Sequence, residues 1–204
     1  MPRAVTIGEE LAGAWLSLCE GCDFVTYSQR HPTGQGEIDV LALKMTEKRA
    51  YLCQVTTHLG GMLYSTGPKP SSATGPGSSY YQTVAKVRDK WNRDIRYVEE
   101  CLDGFETELM LWTLKASKEH VVGPLTALAT KLMKKHPLTI SIIANAEYAR
   151  RIRQLEAKAK RTTKETGNSA FRVLQILARL APVEEREATA ANRKRRITQN
   201  QEHA

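Results

Sequence analysis

The stretch that most constrains the chain is Gly36-Glu37-Ile38-Asp39-Val40-Leu41-Ala42-Leu43. After a polar turn, Lys44 to Lys48, it is followed by Arg49-Ala50-Tyr51-Leu52-Cys53-Gln54-Val55-Thr56-Thr57-His58. Both segments are apolar and rich in branched residues, the pattern of two antiparallel strands joined as a hairpin. Alternation along a strand makes Glu37, Asp39 and Leu41 share one face, while Gln54, Thr56 and His58 share another. A carboxylate inside a hydrophobic strand is costly to bury. Asp39 therefore calls for a cation, a basic partner or a metal.

Around the hairpin the other elements follow in order. Thr6-Ile7-Gly8-Glu9 fits a capping box that opens a helix running to about Glu20, with Leu11, Trp15 and Leu18 as its buried stripe and Gly21 as its stop. Phe24 to Ser28 reads as a strand, and Arg30 to Gly34 as the turn into the hairpin. Residues 59–79 form a Gly/Pro/Ser-rich loop that leaves directly from the hairpin, as a substrate-contacting loop would. Tyr80 to Leu102 is a long helix with Tyr81, Val84, Val87, Trp91, Ile95 and Val98 on its apolar side and Lys86, Lys90, Arg93 and Arg96 on the other. Leu109 to Leu114 and Leu138 to Ala144 read as buried strands on either side of a helix over about Val122 to Lys135. Asn145 caps a basic helix, and Asn168 starts an amphipathic one bearing Phe171, Leu174, Leu177 and Leu180. This order predicts an α/β fold with a mixed β-sheet flanked by helices. The core spans residues 1–145, C-terminal helices occupy 146–181, and a charged, flexible tail covers 182–204.

Charge is unevenly placed. Residues 146–204 carry 14 Lys or Arg against 7 Asp or Glu, whereas residues 1–145 carry 16 against 15. A near-neutral body with a basic C-terminal part points to a polyanion, nucleic acid first. The groups placed to grip phosphates without reading sequence are Arg150, Arg151, Arg153, Lys158, Lys160 and Arg161, together with Arg193, Lys194, Arg195 and Arg196. Cys19, Cys22, Cys53 and Cys101 are scattered, which suits a reducing compartment better than a disulfide framework. With no leader-like start and no long apolar run, the expected location is cytoplasmic.

Gly8-Glu9-x-x-Ala12 on the first helix, then Gly36-Glu37-Ile38-Asp39, then a strand ending in Gln54-Val55-Thr56, resembles the PD-(D/E)xK, restriction-endonuclease-like nucleases. The closest look is to the YraN-like branch, whose pattern reads G-E-x-x-A, G-E-I-D, E-V-K. The resemblance covers the first 58 residues and beyond them extends only to the order of elements. It implies a restriction-endonuclease-like fold and metal-dependent phosphodiester hydrolysis, with DNA favoured over RNA. In that family the helix Glu, the strand Asp and the Glu of E-x-K gather Mg2+ (or Mn2+), and the Lys positions or activates water.

Carried over by position, Glu9 and Asp39 match as metal ligands, with Glu10 a competing choice for the helix acid. Gln54 stands where the second strand acid is expected and Thr56 where the lysine is expected. Glutamine offers magnesium a neutral oxygen, while threonine cannot replace an ammonium. The catalytic set implied is Asp39, Gln54 and Thr56, with His58 as a base near neutral pH and Lys86 as a relocated lysine. The alternative is a catalytically inactive module of the same fold. It would bind nucleic acid or a protein partner, with the 168–181 helix as its docking surface.

Overall fold

The computed structural model describes residues 4–32, 36–57 and 79–180. His58, most of the Gly/Pro/Ser-rich loop and the tail with Arg193, Lys194, Arg195 and Arg196 lie outside the described residues.

Helix α1 (Ile7–Trp15) opens with the expected capping box. Glu9 N–H donates to the Thr6 hydroxyl, and the Thr6 N–H donates to Glu9 Oε2 at 2.8 Å. A π-helical turn, Leu16–Glu20, extends the helix to Gly21. Strands β1 (Phe24–Arg30), β2 (Glu37–Lys44) and β3 (Arg49–Thr56) follow as an antiparallel meander. Helix α2 (Ser79–Cys101) then crosses to β4 (Glu106–Thr113), and α3 (Gly123–Met133) crosses to β5 (Leu138–Ala144). Both of these strands run parallel to their predecessor, so the sheet is mixed, in the order β1-β2-β3-β4-β5. Helix α4 (Ala146–Arg161) and a final helix, α5, over residues 169–180 complete the described chain.

Three layers result. Ile38, Leu41, Leu52, Leu109 and Leu111 pack with Val87, Trp91 and Ile95 of α2 and with Leu125 and Ala129 of α3. On the opposite face Val40, Ala42, Cys53, Met110 and Trp112 pack with Ala12 and Trp15 of α1, Tyr148 and Leu155 of α4 and Phe171 of α5. Central strands covered on both faces have little use for polar side chains, which is why β3 and β4 read as nearly continuous apolar runs. Against that background the buried Asp39 and Gln54 stand out.

Three expectations need correction. Tyr81 is 49% exposed rather than part of the α2 core stripe, where its neighbour Tyr80 packs with Val84 and Val87. Leu177 and Leu180 lie on the open side of α5 with Val173 and Ile176, because Ala170, Phe171 and Gln175 take the face toward the body. Asn145 makes no side-chain cap for α4. At φ +54 it turns its amide onto the Ala116 backbone instead, accepting from the N–H at 3.1 Å and donating to the carbonyl at 2.9 Å.

The seating of α1 against the sheet depends on Gly8, where a Cβ would stand 2.3 Å from the Thr57 Cγ2 atom. Gly8→Ala should therefore lower unfolding free energy by about 1–3 kcal/mol through overpacking. Thr57→Gly in the same chain should recover part of that loss in a urea melt. A neutral Gly8→Ala would place α1 further from β3.

Candidate functional site

The alternation of β2 breaks between Asp39 and Ile38. Val40 and Ala42 face the α1 layer and Leu41 the α2 layer, yet Ile38, two residues before Val40, also faces α2. The registered pairs Tyr27↔Val40 and Gln29↔Ile38 bracket the break, and Ser28, opposite Asp39, has φ +53. No residue is inserted on either strand, so the residue that changes face is Ile38, while Asp39 keeps the α2 side that it shares with Leu41. The Asp39 carboxylate, 3% exposed, reaches the neighbouring strand, where Oδ2 accepts the Val55 N–H at 2.7 Å. Lys90 Nζ of α2 stands 3.8 Å from the same oxygen.

Gln54 precedes on β3 the Val55 whose N–H Asp39 accepts. Its Nε2 donates to both oxygens of Asp94 on α2, at 3.3 and 3.1 Å, and to the Glu37 carbonyl at 3.3 Å. Asp39 and Gln54 thus both reach α2, and their separation onto two faces does not hold. The reason is the register: Leu41 pairs with Leu52, so the face carrying Asp39 and Leu41 is also the face carrying Leu52 and Gln54. Gln54 Oε1 is buried and accepts no hydrogen bond among the described residues. Leaving such an oxygen unsatisfied costs about 1–3 kcal/mol, so its position needs a purpose.

Asp94 is 1% exposed. Besides the Gln54 amide it faces His31 Nε2 at 3.4 Å, an electrostatic rather than a tight hydrogen-bonding distance, and the His31 ring packs edge-on against Tyr97. Burial pushes the Asp94 carboxyl above its ordinary 3.8, with His31 and Gln54 pulling it back down. Lys86, Lys90 and Arg93 recur at four and three residues and so form one basic stripe on α2. Arg93 lies against the start of β2, where a Cβ on Gly36 would come within 3.0 Å of its Nε.

The structure therefore brings together Asp39 and Gln54 and adds Lys90, Asp94 and His31, which the sequence reading did not single out for the site. Lys86 is exposed, one turn before Lys90. Thr56 is half-buried at the end of β3, paired with Thr113 in the ladder. Glu9, 1% exposed, belongs to α1, which covers the face of the sheet opposite α2, and follows the Gly8 that abuts Thr57 just past β3. Glu10 turns away to α5, accepting the Ala170 N–H at 2.7 Å. A signal for Asp94 did exist: it is an acid set between Trp91 and Ile95 of the buried stripe, four residues after a lysine.

In α4, Arg151 stacks 3.6 Å above the Trp15 ring and bonds Glu147 at 2.8 Å, while Arg150 pairs with the same Glu147. Arg153, Lys158, Lys160 and Arg161 are exposed. Among the described residues no three His, Cys, Asp or Glu side chains group as a metal site. A cation would here have to take the Gln54 amide oxygen beside carboxylates. That all-oxygen donor set, with one orphaned buried oxygen, fits a hard divalent ion. Also among the described residues, no helix is long and apolar enough to cross a membrane. No family model, curated protein or solved structure matches the chain.

An acid whose folded pKa lies above its unfolded value holds its proton longer when folded, so its contribution to stability falls as pH rises through that window. The wild type should therefore lose stability relative to Asp94→Asn as pH climbs from about 4 toward neutrality, in urea melts at matched ionic strength. The opposite trend would mean that the Asp94 anion is stabilised by folding.

Proposed function

We propose that the chain is a metal-dependent nuclease of the restriction-endonuclease-like type with a variant site, acting on DNA. The observation that carries this reading is the meeting of Asp39, Gln54 and Lys90, from two strands and a helix, at one end of the sheet. The helix, three-strand meander, helix, strand order agrees with it. So does the basic stripe of Lys86, Lys90 and Arg93 beside the site.

On this reading Asp39 and Gln54, with Glu9, hold the cation. Bound there, Mg2+ would polarise the scissile phosphate and lower the pKa of a water. Lys90 supplies from α2 the ammonium that Thr56 cannot, close enough to the Asp39 carboxylate to orient an attacking water. Lys86 and Arg93 hold flanking phosphates without reading bases.

A second reading is favoured by the same lysine. At 3.8 Å, Lys90 already offsets the Asp39 charge, as it would in an inactive fold that only binds nucleic acid. Plasmid and linear DNA incubated with Mg2+, Mn2+ or EDTA separate the two. The nuclease reading expects metal-dependent cutting that falls on the order of 100-fold or more in Asp39→Ala, the scale for deleting a group that stabilises developing charge. Lys90→Ala should lose cutting while still binding DNA. Salt-sensitive binding with no cutting under any metal would establish the inactive module instead.

A further inference from the structure

We infer that Asp94, braced by His31, is a positioning residue that fixes the Gln54 amide so that its oxygen rather than its NH2 group is offered to the cation. The inference rests on the cation site proposed above.

An amide has two faces that differ only in what they donate or accept. A glutamine that substitutes for a carboxylate ligand serves a cation only if its NH2 end is turned away. At Gln54 that end is taken up three times, by both Asp94 oxygens and by the Glu37 carbonyl. Every one of these partners is an acceptor, and an acceptor set rejects the carbonyl end. Oε1 is left buried and without a donor among the described residues. Asp94 is itself held by the buried His31, which stands against Tyr97. The acid that the strand lacks is thus present one layer away, acting through the amide. An asparagine at position 94 could donate to Oε1, and the Gln54 amide would then be free to turn its NH2 group toward the cation.

Titration of the full chain with MnCl2, followed by calorimetry and by the Mn2+ electron paramagnetic resonance signal, tests this without recourse to activity. Asp94→Asn should weaken Mn2+ binding about 10-fold or more, the scale for losing a group that orients a metal ligand. The exchange Gln54→Glu with Asp94→Asn puts the acid on β3 and the donor on α2, and it should restore wild-type affinity or better. That rescue is a result a merely structural role for Asp94 would not give. Wild-type affinity in folded Asp94→Asn, or no Mn2+ binding by the folded exchange variant, overturns the inference. Should Asp94→Asn not fold, the exchange variant decides alone. If the wild type binds no Mn2+ and cuts no DNA, the cation site itself fails, and this inference with it.

Discussion

Removing a carboxylate from water is among the costliest acts in folding unless a partner meets it. Among the described residues this happens at Glu9, Asp39 and Asp94. Each is met differently. Glu9 closes the capping box at the α1 N-terminus, Asp39 takes a backbone N–H from β3 and faces Lys90, and Asp94 takes the Gln54 amide and faces His31. The helix N-terminus adds a favourable field for Glu9.

The layers make that arrangement available. The antiparallel β1-β2-β3 meander sets Asp39 beside Val55, and its place two residues before Leu41 puts it on the α2 side of the sheet. Helix α2 then returns across the same face to reach β4, bringing Lys90 and Asp94 over the strand ends one turn apart. The β1 side chain Tyr27 and residue Glu10 tie the far layer together through Asn168, which donates to the Glu10 carbonyl at 2.8 Å and caps α5 by accepting the Phe171 N–H at 2.8 Å. The stack of Arg151 on Trp15 clamps α4 to α1 in the same layer.

Much of this was legible in the residues. The Thr6–Glu9 box, the Asn168 start of α5 and the bounds of β5 follow from capping chemistry and from unbroken apolar runs, and each is found. The oddity of Asp39 was legible too, since an acid in an apolar strand contradicts its surroundings. Its company was not: alternation sorts residues within one strand, and only the pairing of Leu41 with Leu52 shows that Asp39 and Gln54 share a face. The pattern puts Lys90 on the basic side of α2 and leaves Asp94 within the apolar stripe, because a helical wheel cannot say what the sheet beneath presents. Asn145 looked like a cap because asparagine usually is one there. Its amide finds better use on Ala116, a partner 29 residues away that no local pattern reveals.

On the proposed reading, the departures Gln54 and Thr56 are compensated in kind, with an acid and a lysine supplied by α2. The most direct measurement is anomalous diffraction from a crystal soaked in MnCl2. The account predicts a single peak about 2.0–2.3 Å from an Asp39 carboxylate oxygen and from Gln54 Oε1, with Gln54 Nε2 still on Asp94. A site without such a peak, with Lys90 Nζ closed onto Asp39 and the Gln54 oxygen hydrogen-bonded to a protein donor, would contradict it.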